Sequence, residues 1–253
     1  MNIQVTDRYE DLSVAAANIV FKGVQSKRDL VLGLPTGRTP LGLYSELVRM
    51  YRDGLLDLSG VTTFNLDEYY PMNPQDPRGY RVFMRQHFFD NVNIPAERIH
   101  MPDASDPDPE KACARYEMEI ARVGGIDLLI LGTGRNGHIG FNEPGTAFNT
   151  RTRLVELTDQ TIRMNFGLKS AGTPRFALSM GVATIMEARD IVLLASGADK
   201  SAIVKKALFG PITPEIPASV LQQHPSVTVI VDREAAAGCL HAGLSGSGMV
   251  TNA

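Results

Sequence analysis

The sequence is poor in cysteine, shows no strong charge bias and contains no long apolar run. Its 253 residues include two cysteines, Cys113 and Cys239. They lie far apart and neither sits in a CxxC setting, which argues against a disulfide framework or a thiolate zinc site. Reduced, buried thiols are expected, as in a cytoplasmic protein. The net charge is −3, too small for a bulk field that would gather nucleic acid or an anionic membrane. An anionic ligand must therefore be held by a local site. No apolar stretch approaches the ~20 residues that span a bilayer. The N-terminus, Met1-Asn-Ile-Gln-Val-Thr-Asp-Arg8, has no basic segment followed by an apolar one, so no secretory signal is expected. Repeats and low-complexity tracts are also lacking.

What is present is a series of short apolar runs with helical patterns between them. Runs at 30–34, 61–66, 127–131, 191–195 and 227–231 read as buried strands. Helices are expected after Thr39-Pro40 and over 80–89, 110–123 and 199–209. In the third of these Cys113, Tyr116 and Ile120 share one face. Thr39 is placed to cap the first helix, with Pro40 in its first turn. Apolar runs, rather than alternating ones, indicate strands covered on both faces. The expected fold is a single Rossmann-like α/β domain over residues 1–242, with a mostly parallel sheet and helices on both faces. Residues 243–253, rich in glycine and serine, are expected to form a frayed tail.

Ligands of such sheets bind beyond the carboxyl ends of the strands, so the residues after each run matter most. After the first comes Pro35-Thr36-Gly37-Arg38-Thr39-Pro40. A glycine turn feeding a helix presents backbone N–H groups to an anion. The polar density favours phosphate binding over an ordinary capped turn. The Gly-Lys-Ser/Thr element of a Walker A loop is absent. After the second run comes Asp67-Glu68. These acids are poised for proton transfer if one faces a ligand; a solvated turn or a helix cap fits them equally well. After 127–131 come Gly132, Gly134 and Gly137, which match G-x-G-x-x-G. A dinucleotide site needs a helix to begin there, but Gly140, Pro144 and Gly145 break the segment. It reads instead as a glycine-jointed loop carrying Asn136, His138, Asn142 and Glu143. Histidine is the natural acid/base near neutral pH, and Glu143 could orient it. After 191–195, Lys200 falls in a helix first turn, where the dipole disfavours a cation unless an anion is bound. A plain surface lysine fits equally well.

Three motifs together resemble the glucosamine/galactosamine-6-phosphate isomerase family, which also contains 6-phosphogluconolactonases. They are Leu32-Gly-Leu-Pro-Thr-Gly-Arg-Thr-Pro40, Phe64-Asn-Leu-Asp-Glu-Tyr69 and Gly137-His-Ile-Gly-Phe-Asn-Glu-Pro144. Arg151-Thr-Arg153, Ser179-Met-Gly-Val-Ala-Thr184 and Gly197-Ala-Asp-Lys200 support them. The resemblance spans about 30–232. The second and third motifs point to the deaminase branch, and so to glucosamine 6-phosphate converted to fructose 6-phosphate and ammonia without metal or organic cofactor. It implies that His138, assisted by Glu143 and Asn136, opens the sugar ring. It implies that Asp67 moves a proton from C2 to C1, and that Thr36, Gly37, Arg38, Thr39 and Lys200 hold the phosphate. The implied partner is a hexosamine 6-phosphate, with a homo-oligomer left open.

The chain departs from the family pattern in three places. Asn136 stands where many members have aspartate, so no carboxylate there raises the basicity of His138. Other members carry asparagine in this setting, and activity is expected to survive. Gly167 stands where the motif Ala-Asn-(Ser/Ala)-Arg has its phosphate-binding arginine; Arg163 or Arg38 is the expected substitute. Val155 replaces a lysine of the allosteric site of hexameric members, although Arg153 is kept, so weak or absent activation is expected. Residues 148–172 are the expected lid. The altered 165–167 region motivates a galactosamine-6-phosphate alternative, and a non-catalytic sugar-phosphate sensor is a further one.

Overall fold

The computed structural model describes residues 1–166 and 172–240. In chain order the elements are β1 (Asn2–Thr6), α1 (Tyr9–Ser26), β2 (Val31–Leu34), α2 (Leu41–Arg52), β3 (Thr62–Asn65), β4 (Asp67–Tyr70) and α3 (Tyr80–His87). Then come β5 (Ile99–His100), α4 (Pro109–Arg122), β6 (Leu128–Gly132), β7 (Arg153–Glu156), α5 (Asp159–Phe166) and β8 (Phe176–Ser179). The chain continues through α6 (Val182–Met186), β9 (Asp190–Ala195), α7 (Ser201–Phe209), β10 (Val227–Asp232) and α8 (Arg233–Leu240).

Seven strands form one sheet in the order β1-β10-β9-β6-β2-β3-β5, and every pairing within it is parallel. The apolar runs have a direct cause. In β6, Leu129 and Leu131 join a core on one side of the sheet, while Leu128 and Ile130 join the core on the other. In β9, Ile191, Leu193 and Ala195 face the first core, and Val192 and Leu194 the second. Side chains alternate along a strand, so a sheet covered on both faces needs apolar residues at every position. Each fully buried leucine of this kind contributes roughly 2–3 kcal/mol.

Helix α1 supplies much of the second core. Its buried stripe is Leu12, Ser13, Ala16, Ala17, Val20 and Val24. Small side chains at the stripe's centre let α1 lie close to α2. Residues 110–123 form a helix as expected, with Cys113, Tyr116 and Ile120 buried. Thr39, however, does not cap α2. Pro40 occupies the cap position in helical conformation, and no side chain accepts a hydrogen bond there. Proline already satisfies one of the unpaired N–H positions by having none.

A second, unexpected sheet has three antiparallel strands in the order β4-β8-β7. Asp67 and Arg153 both stand opposite Ser179 in its register. β4 begins two residues after β3 ends, so Asp67 stands at the junction of the two sheets, where Met180 N–H donates to the carbonyl of Leu66. The expected tail at 243–253 lies outside the described residues, as does Gly167. The segment expected as a lid is, over its described part, a loop followed by β7 and α5.

Candidate active site

Strands β9, β6, β2 and β3 are neighbours and parallel, so the segments after them lie side by side. Those segments carry Lys200, the 133–144 loop, the 35–40 turn and Asp67. The sequence of strands runs outward from β2 through β3 to β5 in one direction and from β6 to β9 in the other. The crevice of such a sheet opens at that reversal.

Asp67 is buried. Burial, with the charge of Glu68 adding, pushes its carboxyl up to about 8. Its Oδ1 has no hydrogen-bond partner among the described residues. A buried carboxyl oxygen without a partner is costly and marks a position kept for chemistry. The 133–144 loop reaches it at Gly140, where a Cβ would lie 3.6 Å from Asp67 Oδ2 and 3.2 Å from Ser179 Oγ. Gly140 also has φ of 57°, so a side chain there would be strained and would press on Ser179 Oγ.

Glu68 does a different job. Its carboxylate accepts the backbone N–H groups of Tyr69, Tyr80 and Arg81 at 2.7–2.9 Å. Burial raises its titration point, and those three bonds oppose the rise. It is the helix cap of the two-acid motif, and it ties β4 to the start of α3. Glu68→Ala leaves one buried and two partly buried donors unpaired and should cost on the order of 3 kcal/mol. Thermal unfolding should show a midpoint lower by about 10 °C; an unchanged midpoint would refute the role.

The loop itself is pinned at several points. Asn142 is fully buried; its Nδ2 donates to the carbonyls of Ile139 and Met180, and its Oδ1 accepts from Arg153 at 2.8 Å. Phe141 N–H donates to Ser179 Oγ at 3.1 Å. With the loop fixed, Glu143 meets three groups. Asn136 Nδ2 donates to Oε2 at 2.5 Å and Thr161 Oγ1 donates to Oε1 at 2.8 Å. His138 Nδ1 lies 3.7 Å from Oε2, just beyond hydrogen-bond distance. That nitrogen is buried and has no partner among the described residues. Catalytic contacts of unliganded sites are commonly long and tighten on binding. Burial pushes the Glu143 carboxyl up, but the nearby His138 imidazole and the bonds from Thr161 and Asn136 win and hold it below its ordinary value. Asn136 thus acts on Glu143 and, through Oδ1, on the backbone N–H of His138 at 3.2 Å; its amide does not meet the imidazole.

The 35–40 turn is held from two sides. Tyr44 of α2 donates to the carbonyl of Pro35. Tyr9 of α1 accepts the N–H of Gly42 at 2.7 Å and lies within 3.1–3.2 Å of the carbonyls of Thr39 and Arg38. Gly37 has φ of 101°, a conformation that glycine adopts without strain. Gly37 and Arg38 are exposed, and Thr36 and Thr39 half-buried. Thr36 hydrogen-bonds Tyr80, whose hydroxyl in turn lies 2.8 Å from that of Tyr69. Lys200 ends a short turn before α7 rather than lying inside that helix. It is half-buried, and burial lowers its titration point while Asp199 opposes this. Arg135 of the loop pairs with Asp199 at 2.6 Å, and Asp232 accepts from Ser196 and Gly197. The turn that carries Lys200 is thereby tied to the loop. Among the described residues no cluster of His, Cys, Asp and Glu is placed to hold a metal ion, and no helix is long and apolar enough to cross a membrane.

The structure thus gathers the residues singled out in the sequence at one edge of the sheet. It adds Tyr9, Tyr69, Tyr80, Thr161 and Asn165, which sequence reasoning missed. Only Thr158-x-x-Thr161, a helix-start pattern, could have flagged one of them. If Tyr9 fixes the turn, Tyr9→Phe should raise KM for a phosphorylated substrate several-fold and leave kcat nearly unchanged. A fall in kcat with KM unmoved would refute that role.

A family model described as glucosamine-6-phosphate isomerases/6-phosphogluconolactonase matches residues 6–230. A glucosamine-6-phosphate deaminase of Halothermothrix orenii is 49% identical over 93% of this chain and 99% of its own length. Glucosamine-6-phosphate deaminase 2 of Bacillus subtilis is 49% identical over 93% of this chain and 96% of its own. Among solved structures, a monomeric glucosamine-6-phosphate deaminase is 42% identical and superposes with a TM-score of 0.90 over 94% of this chain and 100% of its own. The 6-phosphogluconolactonase of Leishmania guyanensis, 19% identical with a TM-score of 0.73, shares the fold. The chain belongs to the glucosamine-6-phosphate isomerase/6-phosphogluconolactonase family.

Proposed function

We infer that this chain converts glucosamine 6-phosphate to fructose 6-phosphate and ammonia. The observation that carries the reading is the pair of proton-transfer groups with unpartnered polar atoms: Asp67, against which Gly140 of the loop rests, and His138, two residues earlier in that loop. A lactonase has no step that moves a proton between neighbouring carbons, whereas an isomerising deaminase needs one.

The phosphate rests on the N–H groups and hydroxyls of Thr36–Thr39, with Lys200 and Arg38 supplying charge. A helix N-terminus and a fixed cation both favour an anion there. His138, with its Nδ1 turned to Glu143, leaves Nε2 for the sugar. It moves the proton of the anomeric hydroxyl to the ring oxygen as the C1–O5 bond breaks. Asp67 then takes the C2 proton as the substrate's ammonium group passes one to O1, giving an enolamine, and returns its proton to C1, leaving an iminium at C2. Water adds at C2 and ammonia leaves. Asp67 must be ionised for this step, yet burial keeps it protonated near neutral pH. The ammonium group of the substrate resolves the conflict, because a cation within a few ångströms lowers a carboxyl's titration point by one to three units. Substrate binding thus creates the base.

All these groups come from one chain, so the chemistry does not call on a homo-oligomer. The two cysteines are free and buried, which fits a reducing, cytoplasmic setting. Ammonium release from glucosamine 6-phosphate, measured beside its C4 epimer galactosamine 6-phosphate, tests the reading. Release from neither would overturn it.

A further inference from the structure

Helix α5 touches both ends of the site at once. Near its start, Thr161 Oγ1 donates to Glu143 Oε1 at 2.8 Å. Thr158, the residue before the helix, donates its hydroxyl to Thr161 Oγ1 at 2.9 Å and accepts the N–H of Thr161 at 3.2 Å. Four residues further on, Asn165 hydrogen-bonds the hydroxyl of Tyr69. Residues four apart share one face of a helix. Tyr69 continues to Tyr80 at 2.8 Å, and Tyr80 to Thr36 of the phosphate turn. Phe166 packs on the Tyr69 ring with centroids 4.7 Å apart. The helix is thereby seated on the tyrosine pair by apolar as well as polar contact.

We propose that α5 couples the phosphate turn to the ring-opening carboxylate, with Asn165–Tyr69–Tyr80–Thr36 as one arm and Thr161–Glu143 as the other. The inference rests on the phosphate and Glu143 assignments made above and goes beyond them. Glu143 has its second oxygen fixed by a hydroxyl on a helix of only two turns. Phosphate contacts at Thr36 reorient the Tyr80 hydroxyl, the tyrosine pair shifts or stiffens, and α5 carries the change one turn along to Thr161. Thr161 then presents Glu143 to His138 Nδ1, closing the 3.7 Å gap. In this scheme Thr161, Tyr69 and Tyr80 are positioning residues. A hydrogen-bond chain of this kind transmits because each link has two arrangements. The consequence is a substrate check: a sugar without its phosphate occupies the site but leaves the ring-opening pair unassembled.

A double-mutant cycle tests the coupling. Thr161→Val and Tyr80→Phe remove one arm each and conserve volume. Each should lower kcat/KM for glucosamine 6-phosphate by about ten-fold. The double variant should lose roughly ten- to twenty-fold, because the second cut finds the chain already broken; a loss of about a hundred-fold means independent sites and overturns the proposal. Thr161→Ser, which keeps the hydroxyl, should restore most of the activity, and failure to do so also overturns it. Thermal unfolding of each variant identifies loss through misfolding. A second arm does not depend on turnover. Inorganic phosphate titrated into the protein should move the 13C carboxyl signal of Glu143 in the wild type and not in Tyr80→Phe. An unmoved wild-type signal, or an equal shift in both, overturns the coupling. Absence of ammonium from the wild type with the NMR shift intact would instead overturn the deaminase reading alone.

Discussion

Asp67→Asn should abolish ammonium release and at the same time stabilise the folded protein above neutral pH. The activity loss follows from removal of the carboxylate assigned to the C2 proton. General-base catalysis contributes roughly 10²–10⁴-fold, so kcat should fall by about 10³-fold with KM little changed. The gain in stability follows from linkage. Burial raises the folded-state value of Asp67 to about 8, against ~3.9 for an unperturbed aspartate. The unfolded chain therefore gives up this proton across pH 4–8 while the folded chain keeps it. The stability associated with the protonated carboxyl is fully present below about pH 4 and is lost as pH rises through about 8. Asparagine does not titrate, so the variant should gain on the wild type by an amount that grows from pH 4 to pH 8 and reaches several kcal/mol. Thermal midpoints for both proteins across that window are the check. Parallel curves would contradict the burial argument, and activity within ten-fold of wild type would contradict the catalytic one. A site that trades stability for chemistry is expected to behave in this way.

Glu143→Gln should lower kcat by roughly 10²-fold with a smaller change in KM. Glutamine keeps an acceptor oxygen for Thr161 but presents an NH2 to Asn136 in place of Oε2; the bonds of Asn142 and Phe141 still hold the loop. What the variant loses is the negative charge beside His138 Nδ1, which supports the imidazolium formed during ring opening. The pH signature has the opposite sign to that of Asp67. Hydrogen bonds hold the Glu143 carboxyl below its ordinary value, so its contribution to stability is present above the unfolded value near 4.3 and disappears as pH falls through the folded one. The wild type should therefore lose a stabilising contribution on acidification that Glu143→Gln never has. A kcat within two-fold of wild type across pH 6–8 would remove Glu143 from the mechanism.

The parallel sheet was legible because β6, β9 and β10 bury both faces, and that demand writes itself into the sequence as uninterrupted apolar runs. The same physics makes the carboxyl ends of the strands the place to look, so Asp67, Lys200 and the 35–40 and 133–144 segments could be singled out by position. Helix α1 was not legible. Its buried stripe contains Ser13, Ala16 and Ala17, whose small side chains give little contrast with the exposed face. The β4-β8-β7 sheet was hidden for another reason. Its strands are four residues long, too short for alternation to stand out, and their pairing exists only after the chain has folded. The division of labour within Asp67-Glu68 was beyond the local sequence for a related reason. The local pattern let either acid face a ligand; the family resemblance gave the proton transfer to Asp67, and the three N–H groups converging on Glu68 show what the other acid does. Tyr9, Thr161 and Asn165 act through contacts across 18–96 residues of chain that leave no local pattern.

The most direct measurement is the joint quantification of ammonium and fructose 6-phosphate formed by the wild-type protein from glucosamine 6-phosphate. The account predicts that the two appear in equal amounts and at equal rates. Substrate bound without either product, or fructose 6-phosphate absent while 6-phosphogluconolactone is hydrolysed, would contradict it.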